Sequence, residues 1–242
     1  MSAPNVCVLS FATPDISFYT EKVFKNNRLY AEKHGYDWEE HWKALDDSRP
    51  PAWNKILYIL ETLKKGYDWV FWIDADAVIM NDSIPLTDFI DDRYDFILCK
   101  DAFCWNTGAW FIKNSTEAKE MLEYTYTKEE FAGPSSFMWE QGAFVNACFE
   151  KGSRIKVLKQ RNFNSVAKET KQFFPEGNTY KVGVFEFVLS LEAFDRGVYE
   201  EGDFLIHFAS INHEGRDTLL RLYKPDLYNE AWSPFLSGVN YD

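Results

Sequence analysis

The sequence predicts an α/β chain built on a mostly parallel sheet, and three features carry that expectation. Continuous apolar runs such as "VCVLSF" and "WVFWI" have the length and composition of strands buried on both faces. Stretches with apolar residues at helical spacing separate these runs, and a strand-helix-strand alternation places successive strands in parallel. The run "WVFWI" then stops abruptly at two aspartates one residue apart, in "VFWIDADAVIMN", Val70 to Asn81. A chain of 242 residues with 46% hydrophobic content suits one globular domain spanning 1–242.

Taken in order, Val6 to Phe11 reads as the first buried strand. After Pro14 and Asp15 comes a helix with Ile16, Tyr19, Val23 and Tyr30 on one face, stopped at Gly35. Trp53, Ile56, Leu57, Leu60 and Leu63 define a second amphipathic helix that ends at Gly66 and delivers the chain into "WVFWI". On that helical wheel Lys55 falls opposite the apolar face and is expected at the surface. Further strands are expected at "YDFILC", "GAWFIK", "IKVL" and "DFLIHFA", and further helices near Thr116 to Tyr126, Phe137 to Phe149 and Arg216 to Tyr223.

Composition narrows the function classes. A net charge of −12 without a basic stripe argues against a nucleic-acid partner, whose phosphates would be repelled. A small anionic ligand remains compatible where a metal ion or a helix N-terminus supplies positive charge. Cys7, Cys99, Cys104 and Cys148 form no CxxC pair, so reduced, buried thiols and a cytoplasmic location are expected. The N-terminus carries no basic leader, and no run is long enough for a membrane span; the Golgi lumen is the alternative if the chain is part of a longer, anchored one.

Ligands of open α/β sheets bind beyond the carboxyl ends of strands, which is where Asp74 and Asp76 emerge. If the backbone stays extended, these two side chains project the same way with Ala75 between them, and a divalent cation relieves their repulsion. Oxygen ligands suit magnesium, manganese or calcium. The plainer alternative is that the aspartates only open a polar turn before "NDSIP". An EF-hand is excluded, because Val78 and Ile79 stand where an oxygen ligand and a glycine are needed. A haloacid-dehalogenase-type phosphatase stays open, since its hallmark resembles "IDADAV" with the first aspartate as nucleophile. Against it, a whole strand-helix unit precedes the motif here, and "GDFLIH" offers one acid where a pair is expected.

The blocks "PPAWNKILYILETLKKGYDWVFWIDADAVIMN", "NTGAWFIKNS", "EQGAFVNACFE" and "GDFLIHFAS" occur in the order found in one enzyme family. The chain resembles the glycosyltransferases of family 34, which include yeast galactosyl- and mannosyltransferases and plant xylosyltransferases. That resemblance implies a GT-A fold, a Rossmann-like central sheet flanked by helices, with a nucleotide-sugar-binding half near 1–100 and an acceptor-binding half near 101–242. It implies transfer of a sugar from a UDP- or GDP-sugar to a glycan hydroxyl with retention of configuration. Asp74 and Asp76 match the family's DxD motif, which holds manganese (or magnesium) with the donor diphosphate, and His207 matches its distal metal ligand. Asn106, Thr107 and Gly108 resemble the loop lining the pocket, Glu140 and Gln141 the pair under the transferred sugar, and Ala12, Thr13 and Ala75 lie where the donor would pass. The sequence departs from the family at "HFASINH": Asn212 and His213 replace an expected phosphate-contacting lysine or cysteine, leaving Arg216 as the substitute. Each assignment has a plainer counterpart. A lone histidine in "FLIHFA" suits a core position, Glu140 and Gln141 suit a solvated helix face beside Phe144, Val145 and Cys148, and a carbohydrate-binding protein that transfers nothing would keep the same fold. Trp105, Trp110, Trp139 and Trp232 are candidates for stacking on sugar rings, though aromatics also fill cores.

Overall fold

The computed structural model describes residues 3–229 apart from 134, 135, 137, 174–176, 183, 184 and 189. Strand β1 (Val6–Phe11) is buried along its whole length, as its apolar run predicts. Helix α1 (Ser17–His34) buries Tyr19, Val23, Asn27 and Tyr30 at helical spacing and ends at Gly35, whose φ of 71° lies in the left-handed region that closes helices. The chain turns there into β2 (Asp37–His41), parallel to β1. This strand is absent from the sequence expectation because "DWEEH" is an edge strand, only partly covered, and so lacks an apolar run. Helix α2 (Asn54–Leu63) leads to β3 (Trp69–Ile73), which also lies parallel to β1.

A turn follows in which Ala77 N donates to Asp74 O at 2.9 Å, and short strand β4 (Ala77–Ile79) leaves it. The backbone therefore does not stay extended through the aspartates. Strands β5 (Phe96–Lys100) and β6 (Trp105–Lys113) form a hairpin, with β6 antiparallel to both β5 and β3. Helices α3 (Thr116–Tyr126) and α4 (Trp139–Lys151) precede β7 (Ile155–Lys159), which rejoins β5 in parallel. The central sheet runs β2-β1-β3-β6-β5-β7, with β6 alone reversed, so the mostly parallel expectation holds.

The rest of the chain builds a smaller wall. One-turn helix α5 (Gln160–Phe163) leads to β8 (Ser165–Val166), and β9 (Thr179–Val182) with β10 (Phe185–Val188) makes a separate antiparallel ladder. Helix α6 (Leu191–Asp195), strand β11 (Leu205–His207) and helix α7 (His213–Tyr223) complete it, α7 starting three residues before the expected Arg216 because Asn212 caps it through Gly215 N at 2.8 Å. A second sheet, β4-β11-β8, places His207 opposite Ala77.

Alternation along β3 explains why its run is apolar throughout. Trp69, Phe71 and Ile73 join one buried cluster with Tyr30, Phe111 and Phe163, while Val70 and Trp72 join another with Ile56, Trp110 and Phe144. Trp110 is thus a core residue, packed edge-on to Phe144 at 4.8 Å, and Trp105 stacks on Phe149 at 5.5 Å. Neither is placed as a sugar platform; Trp232 lies outside the described residues. All four cysteines are free and buried, as expected. No helix among the described residues is long and apolar enough to cross a membrane.

Buried Asn27 fastens α1 to the strand after the aspartates, donating to Ala77 O and accepting from Ile79 N, both at 3.0 Å. Replacing it by leucine strands two backbone groups, so Asn27→Leu is expected to lower unfolding free energy by about 2 to 4 kcal/mol in urea titrations.

Candidate metal and donor site

Three side chains converge at the carboxyl end of β3. Asp74 follows the strand directly, its N–H donating to Gly108 O at 2.7 Å, and Asp76 O accepts from Phe208 N at 2.9 Å, locking the turn to the end of β11. His207 Nε2 lies 3.3 Å from Asp76 Oδ1 and 3.9 Å from Asp74 Oδ2. The three candidate ligand atoms all fall within 4.8 Å of one another.

The opposite atom of each ligand is already engaged. Asp74 Oδ1 accepts from Trp72 Nε1 at 2.6 Å and pairs with Lys55 Nζ at 3.0 Å. Asp76 Oδ2 pairs with the Arg216 guanidinium at 2.9 Å, and His207 Nδ1 meets Asn164 Oδ1 at 2.9 Å. One oxygen of each aspartate and one imidazole nitrogen are left facing a common point, a donor set that fits a hard divalent cation such as manganese or magnesium. Burial would raise the Asp76 carboxyl, but Arg216 and then His207 hold it well below the usual carboxylate range. Burial pulls the His207 imidazole down, and the carboxylates of Asp76 and Asp74 more than offset it, leaving it above its ordinary value.

Lys55 contradicts its surface expectation. It is 2% exposed, with Nζ donating to Thr107 O at 3.0 Å and to Glu140 Oε1 at 2.8 Å besides its pair with Asp74. The helical wheel failed because α2 is covered on more than its apolar stripe: Asn54, Lys55, Tyr58 and Thr62 are buried as well as Ile56, Ile59 and Leu63. Burial disfavours the ammonium, yet Asp74 and Glu140 together drive its pKa above the ordinary lysine value.

Glu140 is buried in the first turn of α4 rather than solvated. Burial pushes its carboxyl upward against the pull of Lys55, and Asp74 adds to the rise. Gln141 points another way, its Oε1 accepting from Thr107 N at 3.2 Å and its amide nitrogen lying 3.3 Å from Met138 Sδ. The chain enters α4 through Met138 and Trp139 in left-handed conformation, φ 68° and 38°; non-glycine residues held so cost on the order of 1–3 kcal/mol each.

These groups line a cleft of about 710 Å³. Ala12, Thr13, Ala75, Asn106, Gly108, Gln141 and Arg216 all reach its wall with the metal-ligand candidates, as does half-exposed Trp139. Thr107 does not: it is buried behind the wall and serves through its backbone, which holds Lys55 and Gln141. Asn106 is oriented by Asp101, which accepts its amide at 2.9 Å, and in turn accepts from Gly108 N at 2.7 Å. Asn212 caps α7, so past the departure at "HFASINH" it is Arg216, one turn into that helix, that meets Asp76. Lys55, Trp72, Asp101 and Asn164 were missed from the sequence; the lysine inside the otherwise apolar "WNKILYIL" was the signal available.

Comparison with known proteins bears on the family and the fold. Residues 5–101 match the galactosyl transferase GMA12/MNN10 family. The chain is 25% identical over 222 residues to an alpha-1,2-galactosyltransferase of Schizosaccharomyces pombe, the match covering 81% of this chain and 57% of that protein. It is 23% identical over 183 residues to a probable alpha-1,6-mannosyltransferase, MNN10, of Saccharomyces cerevisiae, covering 58% of this chain and 46% of that protein. The fold aligns at a TM-score of 0.69 and 18% identity with a glycosyltransferase involved in glycosylation of the major capsid of PBCV-1, over 90% of this chain and 100% of that one. The fold is that of the GT-A glycosyltransferases. Over residues 5–101 the chain resembles the galactosyl transferase GMA12/MNN10 family, and it spans only about half the length of the curated yeast relatives it matches.

Two outcomes follow from the packing. Lys55→Ala takes away the ammonium that pairs with Glu140 and Asp74, which for a buried pair costs about 3 to 5 kcal/mol. Because burial already raises the Glu140 pKa, and losing Lys55 raises it further, the folded variant takes up protons more readily than the unfolded chain. Its deficit is therefore expected to be greatest near pH 8 and to shrink toward pH 5, as measured by denaturation at each pH. A Cβ on Gly108 would lie 2.2 Å from His207 Cε1, so Gly108→Ala is expected to displace the ring, shifting the His207 imidazole resonances and lowering stability by about 1–3 kcal/mol.

Proposed function

We propose that this chain is a metal-dependent glycosyltransferase that moves a sugar from a UDP- or GDP-sugar to a hydroxyl of a glycan acceptor, with retention of configuration. The convergence of Asp74 Oδ2, Asp76 Oδ1 and His207 Nε2, each with its other atom committed elsewhere, is the observation that supports this best. Manganese or magnesium bound by these residues would neutralise charge on the departing diphosphate.

The chain's own residues would do the remainder. Thr13 and Ala12, beyond the end of β1, meet the nucleotide, and Asn106 and Gly108 shape the wall beside the sugar. Arg216 is fixed on the cleft wall, where a permanent positive charge stabilises the diphosphate as negative charge grows on it. Asp74, held by Lys55 and Trp72, keeps one oxygen aimed at the diphosphate side of the cleft. Glu140 and Gln141 line the cleft, and in this reading they would lie under the anomeric carbon and stabilise its oxocarbenium-like charge. In a same-face attack the anomeric carbon–phosphate oxygen bond breaks as the acceptor oxygen bonds to that carbon, and the acceptor's proton passes to the departing phosphate oxygen.

A screen of UDP- and GDP-sugars with manganese, reading donor hydrolysis and thermal stabilisation, tests the proposal. One donor is expected to be hydrolysed only with manganese or magnesium present. Asp76→Asn should reduce that rate at least about a hundredfold while keeping the far-ultraviolet circular dichroism of the parent. Undiminished turnover in excess chelator would defeat the reading, and so would robust hydrolysis of a simple aryl phosphate, which belongs to the phosphatase alternative.

A further inference from the structure

Asn164 follows the one-turn helix α5 and is fully buried, with its side-chain oxygen 2.9 Å from His207 Nδ1. An amide oxygen has no proton to give, so the proton of this bond sits on Nδ1. A neutral imidazole then carries its lone pair on Nε2, the atom turned toward Asp74 and Asp76. We infer that Asn164 is a positioning residue that fixes the tautomer and ring angle in which His207 can ligate a divalent cation. The inference rests on the metal reading given under the proposed function.

Two independent observations support it. Asn164 Nδ2 is buried with no hydrogen-bond partner among the described residues, a state that costs stability, so the amide is retained for what its oxygen does. The segment carrying it is anchored on both sides of the asparagine: Arg161 grips the Asp203 carboxylate at 3.0 to 3.2 Å, Ser165 Oγ donates to the same group at 2.8 Å, and Val166 pairs with His207 across β8 and β11. Asn164 is thereby held in register with the ring it orients.

The first measurement uses the unmodified protein. Long-range nitrogen-proton spectra at a pH where the ring is neutral, with His207 identified by the signals missing in His207→Gln, are expected to show the proton on Nδ1; a ring protonated on Nε2 overturns the inference. The second titrates Mn2+ alone, following the paramagnetic resonance of the free ion. Asn164→Ala is expected to bind it at least about tenfold more weakly. Asn164→Asp, whose carboxylate accepts the same proton, should retain affinity within a few-fold. Unchanged affinity in Asn164→Ala overturns the positioning role alone, and so does equal loss in both variants. Absence of Mn2+ binding by the unmodified protein overturns the metal reading and this role with it.

Discussion

Charge balance at the floor of the cleft governs the rest of the structure. Asp76 and Glu140 are buried and Asp74 is partly so, and carboxylates poorly hydrated in this way are tolerable only with positive charge or donors close by. Lys55 answers Asp74 and Glu140 together, Arg216 answers Asp76, and His207 stands between the aspartates. The positions of α2, α4, α7 and β11 follow from this requirement, since each must deliver one charged group to the same few ångströms. The reversed strand β6 fits the same scheme, because it carries Gly108 and the Thr107 carbonyl under that cluster.

Much of the framework is legible in the residues because burial on both faces forces it. The runs of β1 and β3 can only be apolar, since alternate side chains of β3 enter different clusters, and Thr116–Tyr126 shows its helix by spacing alone. Where one face meets solvent the signal fades, and β2 is invisible for that reason. The aspartate pair stands out in the sequence, but the conditional expectation of an extended backbone does not hold: a turn, the plainer reading, is also what brings the carboxylates to His207. Lys55 shows the limit of one-face periodicity. Helix α2 packs against the sheet and a second helix and is covered on more than its apolar stripe, and Lys55 is buried against a partner, Glu140, that lies far along the chain.

The family match ends at residue 101, yet the cluster it points to is incomplete there. Glu140, Asn164, His207 and Arg216 all come from the portion beyond. The fold aligns with a solved glycosyltransferase over 90% of the chain at 18% identity, so the architecture extends well past the stretch that the family match covers. "NFNS" reads as an ordinary loop; only the ring beside it gives the asparagine meaning.

The spread of these residues along the chain has a consequence for the order of assembly. Arg216 reaches Tyr19 across 197 positions, and His207 pairs with a strand that leaves the aspartate turn more than a hundred residues earlier. Contacts of such separation close late, after local strand-helix units have formed. A nascent chain that has completed only β1 to β6 presents Asp74 and Asp76 with no histidine and no arginine beside them. The Asp74, Asp76 and His207 cluster is therefore a late product of folding, and a chain that stops short of its second wall carries the aspartate pair without the side chains that surround it.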